Sequence, residues 1–176
     1  MLIAPTPIDG VFRLDAELAS DERGFFARLH CSDEFSKHGL VGSYAQTSVS
    51  HNHRRGTVRG MQFQTAPHQE TKIVRCIAGA ILDVVFDLRK SSPTYRRHFA
   101  VELSHENHAA LYIPAGVAHG FQTLRDASEV LYMIDVPYQA SSASGVRWND
   151  PSFGFEWPLP ISVISERDRT FPDWTS

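Results

Sequence analysis

Apolar and polar residues alternate with a period of two along most of this chain, the spacing of half-buried β-strands. The pattern predicts strands over Phe25–Leu29 (after a turn at Asp21–Gly24), Ser43–Ser50, Gly56–Gln64, Lys72–Ile77 and Ala80–Leu88. It continues over Arg97–Leu103, Ala109–Ile113, Gly120–Leu124 and Glu129–Asp135. Lys72–Ile77 and Ala80–Leu88 flank Ala78-Gly79 and predict a hairpin. One short helix is expected at Asp33–His38, with Ser32 as N-cap and Gly39 as its stop. From Tyr138 the chain is rich in Pro, Trp and Ser; it is expected to wrap the barrel and add a short helix near Ser165–Arg169. Short strands at fairly regular spacing, punctuated by Gly and Pro, predict a sandwich or barrel.

No repeat, linker or low-complexity tract interrupts the pattern, so residues 1–176 are expected to form one domain. The composition, 42% hydrophobic and 21% charged, fits a globular chain. A net charge of -3 gives no reason to expect a nucleic-acid partner, and the basic cluster His51–Arg55 has the character of a solvated loop. Two cysteines, Cys31 and Cys76, are too few for a disulfide framework, which suggests a reduced, cytoplasmic setting. The first ten residues lack the basic and apolar regions of a signal peptide. No apolar run approaches the about 18 residues of a membrane span.

The first specific signal is I-P-A-G-V-A-H-G-F, residues 113–121, in which Pro114 and Gly116 set a turn that aims His119 inward. This resembles the second motif of the cupin superfamily, whose fold is an all-β double-stranded β-helix, a jelly-roll barrel. The first cupin motif would start at Gly56, but its two His positions hold Gln62 and Gln64. Amides are poor ligands for divalent transition metals, so no metal is expected. Taken alone, His119 could equally be a structural histidine.

Several segments in order carry a closer resemblance: D-E-R-G-F-F (21–26), the Gln46 strand, G-T-V-R-G-M-Q-F-Q (56–64), K-I-V-R-C-I-A-G (72–79), D-V-V-F-D-L-R-K-S-S-P-T-Y (83–95), I-P-A-G-V-A-H-G-F, V-L-Y (130–132), R-W-N-D-P (147–151) and I-S-E-R-D (164–168). From about Asp21 to Pro172 the chain resembles the dTDP-4-dehydrorhamnose 3,5-epimerases. The resemblance implies epimerisation of a nucleotide-linked 4-keto-6-deoxyhexose, with no metal, nicotinamide or other cofactor. A base removes a proton beside the C4 ketone, an enolate forms, and an acid returns a proton to the opposite face. It implies Tyr132 as the acid, Asp168 as the carboxylate behind the base, Lys72 as the cation near O4, and His119 in the same pocket. Arg23 and Arg59 resemble arginines that hold the diphosphate, Gln46 a sugar or nucleotide contact, and Tyr138 the aromatic that stacks on the base. Phe26, Ser48 and Arg167 fall in segments implied to contact substrate. A homodimer that shares or exchanges strands is implied as well.

The family's basic histidine falls at Gln62, whose amide cannot take a proton at ordinary pH. Ser48 stands where the family usually has Asn, Arg28 replaces an acidic residue, and Ala143 replaces a Glu. The leading expectation is therefore an epimerase with altered or single-site chemistry, its base supplied by His119, Asp168 or Tyr132. The alternatives are an inactive nucleotide-sugar binder and a cupin recruited to another small molecule in natural-product tailoring. A swing of His51 or His53 into the pocket is also open.

Overall fold

The computed structural model describes residues 1–175. Two antiparallel sheets face each other, with strands numbered in chain order. The first has the order β1 (Leu2–Pro5), β2 (Phe12–Asp15), β10 (Ala109–Ile113), β7 (Lys72–Ala78), β12 (Ser128–Ile134), β5 (Gln46–Asn52). The second runs β13 (Ala143–Gly145), β6 (Thr57–Gln64), β11 (Val117–Thr123), β8 (Ala80–Asp87), β9 (His98–Ser104), and β14 (Val163–Ile164) pairs in parallel with β6. A separate hairpin joins β3 (Leu18–Asp21) to β4 (Gly24–Ala27). The helices are short: α1 (Ser32–Lys37) and α2 (Glu166–Arg169). The strand pattern predicted a sandwich or barrel, and the cupin resemblance implied this jelly roll. No helix among the described residues is long and apolar enough to cross a membrane.

Inward positions of both sheets meet in one core. Val74, Cys76, Leu111 and Val130 come from the first sheet, Ile81, Val85, Val117 and Phe121 from the second. Outside the first sheet, α1 lays the fully buried Phe35 against Leu14, Ile73, Ala110 and Tyr112. Truncating that ring to Ala would cost about 3–5 kcal/mol.

The predicted hairpin at Ala78-Gly79 is not one. β7 pairs with β10 and β12, while β8 pairs with β9 and β11, so the chain crosses between sheets at Gly79. Both strands bury apolar residues toward the shared core, and each finds backbone partners in its own sheet. Gly79 makes the crossing with φ +71, and a Cβ there would stand 2.4 Å from Ser128 Oγ. The N-cap of α1 is Cys31, with no side-chain cap bond, and Ser32 is already helical. Ser165 does cap α2, its Oγ accepting from Asp168 N. The N-terminal pair β1–β2 was not predicted from the pattern: each strand has only four residues, too few to establish a period.

The core gives way to polar groups toward one end. On β7 the inward positions run Cys76, Val74, Lys72; on β12 they run Val130, Tyr132, Ile134, the last two only partly buried. Facing them, β11 changes from Phe121 to His119. That polar end is a cavity of about 310 Å³.

Candidate functional site

The cavity gathers polar side chains from both sheets and from α2. Ser48, Ser50, Arg59, Gln62, Gln64, Glu70, Lys72, His119, Tyr132, Tyr138 and Arg167 all line it. Strict alternation along β6 would put Arg59 and Gln62 on opposite faces. A bulge solves this. The register of β11 on β6 shifts between His119↔Gln62 and Phe121↔Arg59, so three residues are spent where two would serve. Two glycines permit the close approach. A Cβ on Gly60 would sit 2.5 Å from Gly120 Cα, and one on Gly120 would sit 2.7 Å from Arg59 O. Gly60 also has φ +113, open in practice only to glycine.

This register sets Gln62 and His119 side by side on one wall, each backed by a buried carboxylate. Gln62 Nε2 donates to Asp168 Oδ1 at 2.6 Å, and Gly60 N donates to Asp168 Oδ2 at 3.2 Å. Both oxygens of Asp168 are thus engaged behind the wall; the residue is 3% exposed and does not line the cavity. His119 Nε2 lies 2.7 Å from Asp83 Oδ1. Asp83 is fully buried and its Oδ2 has no partner among the described residues.

The opposite wall carries Tyr132, whose hydroxyl lies 3.4 Å from Ser50 Oγ and whose ring stands edge-on to His119 at 6.2 Å. Burial pushes the Tyr132 phenol well above its ordinary value, so it holds its proton at neutral pH. Lys72 Nζ donates to Glu70 Oε1 at 2.5 Å, both side chains nearly enclosed. Arg59 is fixed by Nε to the buried Asn52 Oδ1 at 2.7 Å, and Arg167 reaches in from α2. Gln64 is a strut: its Nε2 donates to His68 O and its Oε1 accepts from Gln139 N, fastening the C-terminal tail to β6.

Tyr138 stands at the mouth, 55% exposed, with its backbone N donating to Gln46 Oε1 at 3.1 Å. Gln46 itself lies behind that bond and not on the cavity wall. Arg23 and Phe26 do not come to the cavity. They sit on the exposed β3–β4 hairpin, where Arg23 pairs with Asp21. His51 and His53 are outside as well: His51 Nδ1 lies 3.1 Å from Glu129 Oε1, and the two rings pack on each other. Among the described residues, no three or more His, Cys, Asp or Glu side chains cluster as metal ligands.

The sequence profile of the dTDP-4-dehydrorhamnose 3,5-epimerases matches residues 5–176. The chain belongs to the dTDP-4-dehydrorhamnose 3,5-epimerase family. It is 38% identical over 176 residues to the enzyme of that name from Salmonella typhimurium, covering 98% of this chain and 94% of that one. The crystal structure of the Bacillus anthracis enzyme, with TDP and PPi bound, has a TM-score of 0.94 at 37% identity and covers 98% and 99% of the two chains. A 3'-monoepimerase from Streptomyces bikiniensis, in complex with dTDP-quinovose, has a TM-score of 0.90 at 31% identity, covering 97% and 86%.

Sequence reasoning gave no role to Asp83, although it opens one of the matching segments, D-V-V-F-D. An Asp inside an otherwise apolar strand was the available signal, because a buried carboxylate needs a partner. Glu70 and Ser50 carried no comparable signal.

Proposed function

We propose that this chain is an epimerase of a nucleotide-diphosphate-linked 4-keto-6-deoxyhexose, with the dTDP-linked sugar as substrate. The observation that carries this is the convergence, in one cavity of a family member, of Tyr132, Lys72 and His119 with Arg59 and Arg167. In this reading Arg59 and Arg167 hold the diphosphate, and Tyr138 at the mouth stacks on the nucleotide base. Ser48 and Gln46 support the sugar side. Lys72 stabilises the charge that develops on O4 as the proton leaves. Tyr132, kept protonated by burial, is the acid that returns a proton.

Arg23 and Phe26 enter the reading through a second copy. The β3–β4 hairpin exposes Leu18, Phe25 and Phe26, and the edge strand β5 exposes Val49. In a homodimer the hairpin would cover such apolar surface and present Arg23 and Phe26 to the neighbouring cavity.

Gln62 favours a second reading, a binder without chemistry, because the residue beside Asp168 cannot accept a proton. Incubating the protein with dTDP-4-keto-6-deoxyglucose in D₂O separates the two. Deuterium at C3 or C5, read by mass spectrometry and NMR, is the expected result. Calorimetric binding of dTDP with no deuterium at either carbon would establish the binder, and no binding would remove both readings.

A further inference from the structure

Resting on that epimerase reading, we propose that His119, held by Asp83, is the base of the reaction and serves a single ring carbon. The groups lining the cavity narrow the choice. Arg59, Lys72 and Arg167 are cations with no lone pair to offer at neutral pH. Glu70 already accepts from Lys72 Nζ at 2.5 Å, so its carboxylate is occupied by that cation. Tyr132 holds its proton. Asp168 lies behind Gln62 with both oxygens engaged. Gln62 and Gln64 are amides.

His119 remains, and it is built for the task. Its Nε2 faces Asp83 Oδ1, which makes Nε2 the N–H donor and leaves the Nδ1 lone pair without a partner among the described residues. Asp83 has no other side-chain partner among the described residues, so the positive charge acquired by the ring on taking a proton is its natural counter-ion. Asp83 is a positioning residue: it fixes ring orientation and tautomer and does not touch substrate.

The step balances without any other reactant. The C–H bond beside the C4 ketone breaks and its proton goes to His119 Nδ1. The electron pair moves into an enolate on O4, next to Lys72. Tyr132 then gives its phenolic proton to the opposite face of the same carbon, and solvent returns both side chains to their starting protonation. C3 and C5 flank C4 on either side. His119 stands one strand over from Gln62, a shift of about 4.8 Å along the wall, so a ring seated over Lys72 offers one of those carbons to it.

The test compares the unmodified protein with His119→Asn and Asp83→Asn, measuring solvent deuterium incorporation into dTDP-4-keto-6-deoxyglucose and calorimetric dTDP affinity. The unmodified protein should label one carbon. His119→Asn should lose about 10²–10⁴-fold of that rate with dTDP affinity retained. Asp83→Asn should lower kcat at least tenfold per dTDP-binding site counted by calorimetry, with KM nearly unchanged; a fall that disappears on normalising to binding sites would mean lost folded protein and would overturn the positioning role. Exchange surviving within a few-fold in His119→Asn would overturn the assignment while leaving the epimerase reading intact. Labelling of both carbons by the unmodified protein would overturn the single-carbon claim. No labelling by the unmodified protein would remove both the assignment and the reading beneath it.

Discussion

Gln62–Asp168 and His119–Asp83 are two polar pairs on adjacent strands of one wall, and they differ in what a proton can do there. In the first, an amide donor meets a carboxylate whose oxygens are both engaged, by Gln62 and by Gly60 N. Gln62 presents the cavity with an amide, which takes no proton at ordinary pH, and each oxygen of Asp168 already accepts a hydrogen bond. In the second, an imidazole meets a carboxylate that is completely buried and half unpaired. Among the described residues, the ring is the one partner that offsets the desolvation of that carboxylate. The first pair is therefore a clamp on β6, and the second is poised to accept a proton. The lesson is that a carboxylate behind a pocket wall does not by itself mark the base. The count of its partners does.

The largest effect that sharpens this contrast is on the acid. Tyr132→Phe should reduce epimer formation by about 10²–10⁴-fold while deuterium exchange falls much less, because the base on the other wall still removes the proton. Burial raises the Tyr132 pKa, so the neutral phenol persists above the value of an ordinary tyrosine. The ratio of inversion to exchange in the unmodified protein should accordingly stay flat from neutral pH to about pH 10. A fall across that interval would show an acid of ordinary acidity.

A smaller effect should follow from Gln62→His, which gives Asp168 an imidazole to orient. Labelling at the second carbon should rise about tenfold or more, toward double epimerisation. If the new imidazole adds nothing, the wall at Gln62 does not face a reacting carbon. The smallest catalytic effect is expected from Gln62→Leu. The clamp is lost, the Asp168 carboxylate keeps Gly60 N as its one partner among the described residues, and stability should drop by about 1–3 kcal/mol. That corresponds to a fall in Tm of several degrees, at about 2–4 °C per kcal/mol, with exchange within about tenfold of the unmodified protein.

The strand inventory was legible because alternation persists wherever one face of a strand is buried. Pairing was not. Nothing in I-A-G-A-I says whether Gly79 turns the chain back or passes it to the other sheet; that depends on which strands complete each sheet. The cavity was legible through family resemblance, which brought Gln62, Lys72, His119, Tyr132 and Arg59 together, and the structure sets all five on its walls. Period-two reading alone would have divided Arg59 from Gln62, since the bulge that unites them depends on contact between Gly60 and Gly120, distant in sequence. Asp83 stayed unassigned because its partner lies 36 residues away on a neighbouring strand. Arg23 and Phe26 illustrate the other limit: their segment carries the resemblance, but the structure sets both on an exposed hairpin away from the cavity.

The most direct test of the account is the deuterium-exchange rate of His119→Asn set beside that of Gln62→Leu, both with dTDP affinity confirmed. The account predicts that the first falls about 10²-fold or more while the second stays within about tenfold of the unmodified protein. The reverse order, with Gln62→Leu silent and His119→Asn active, would contradict it and return the chemistry to the Gln62–Asp168 pair.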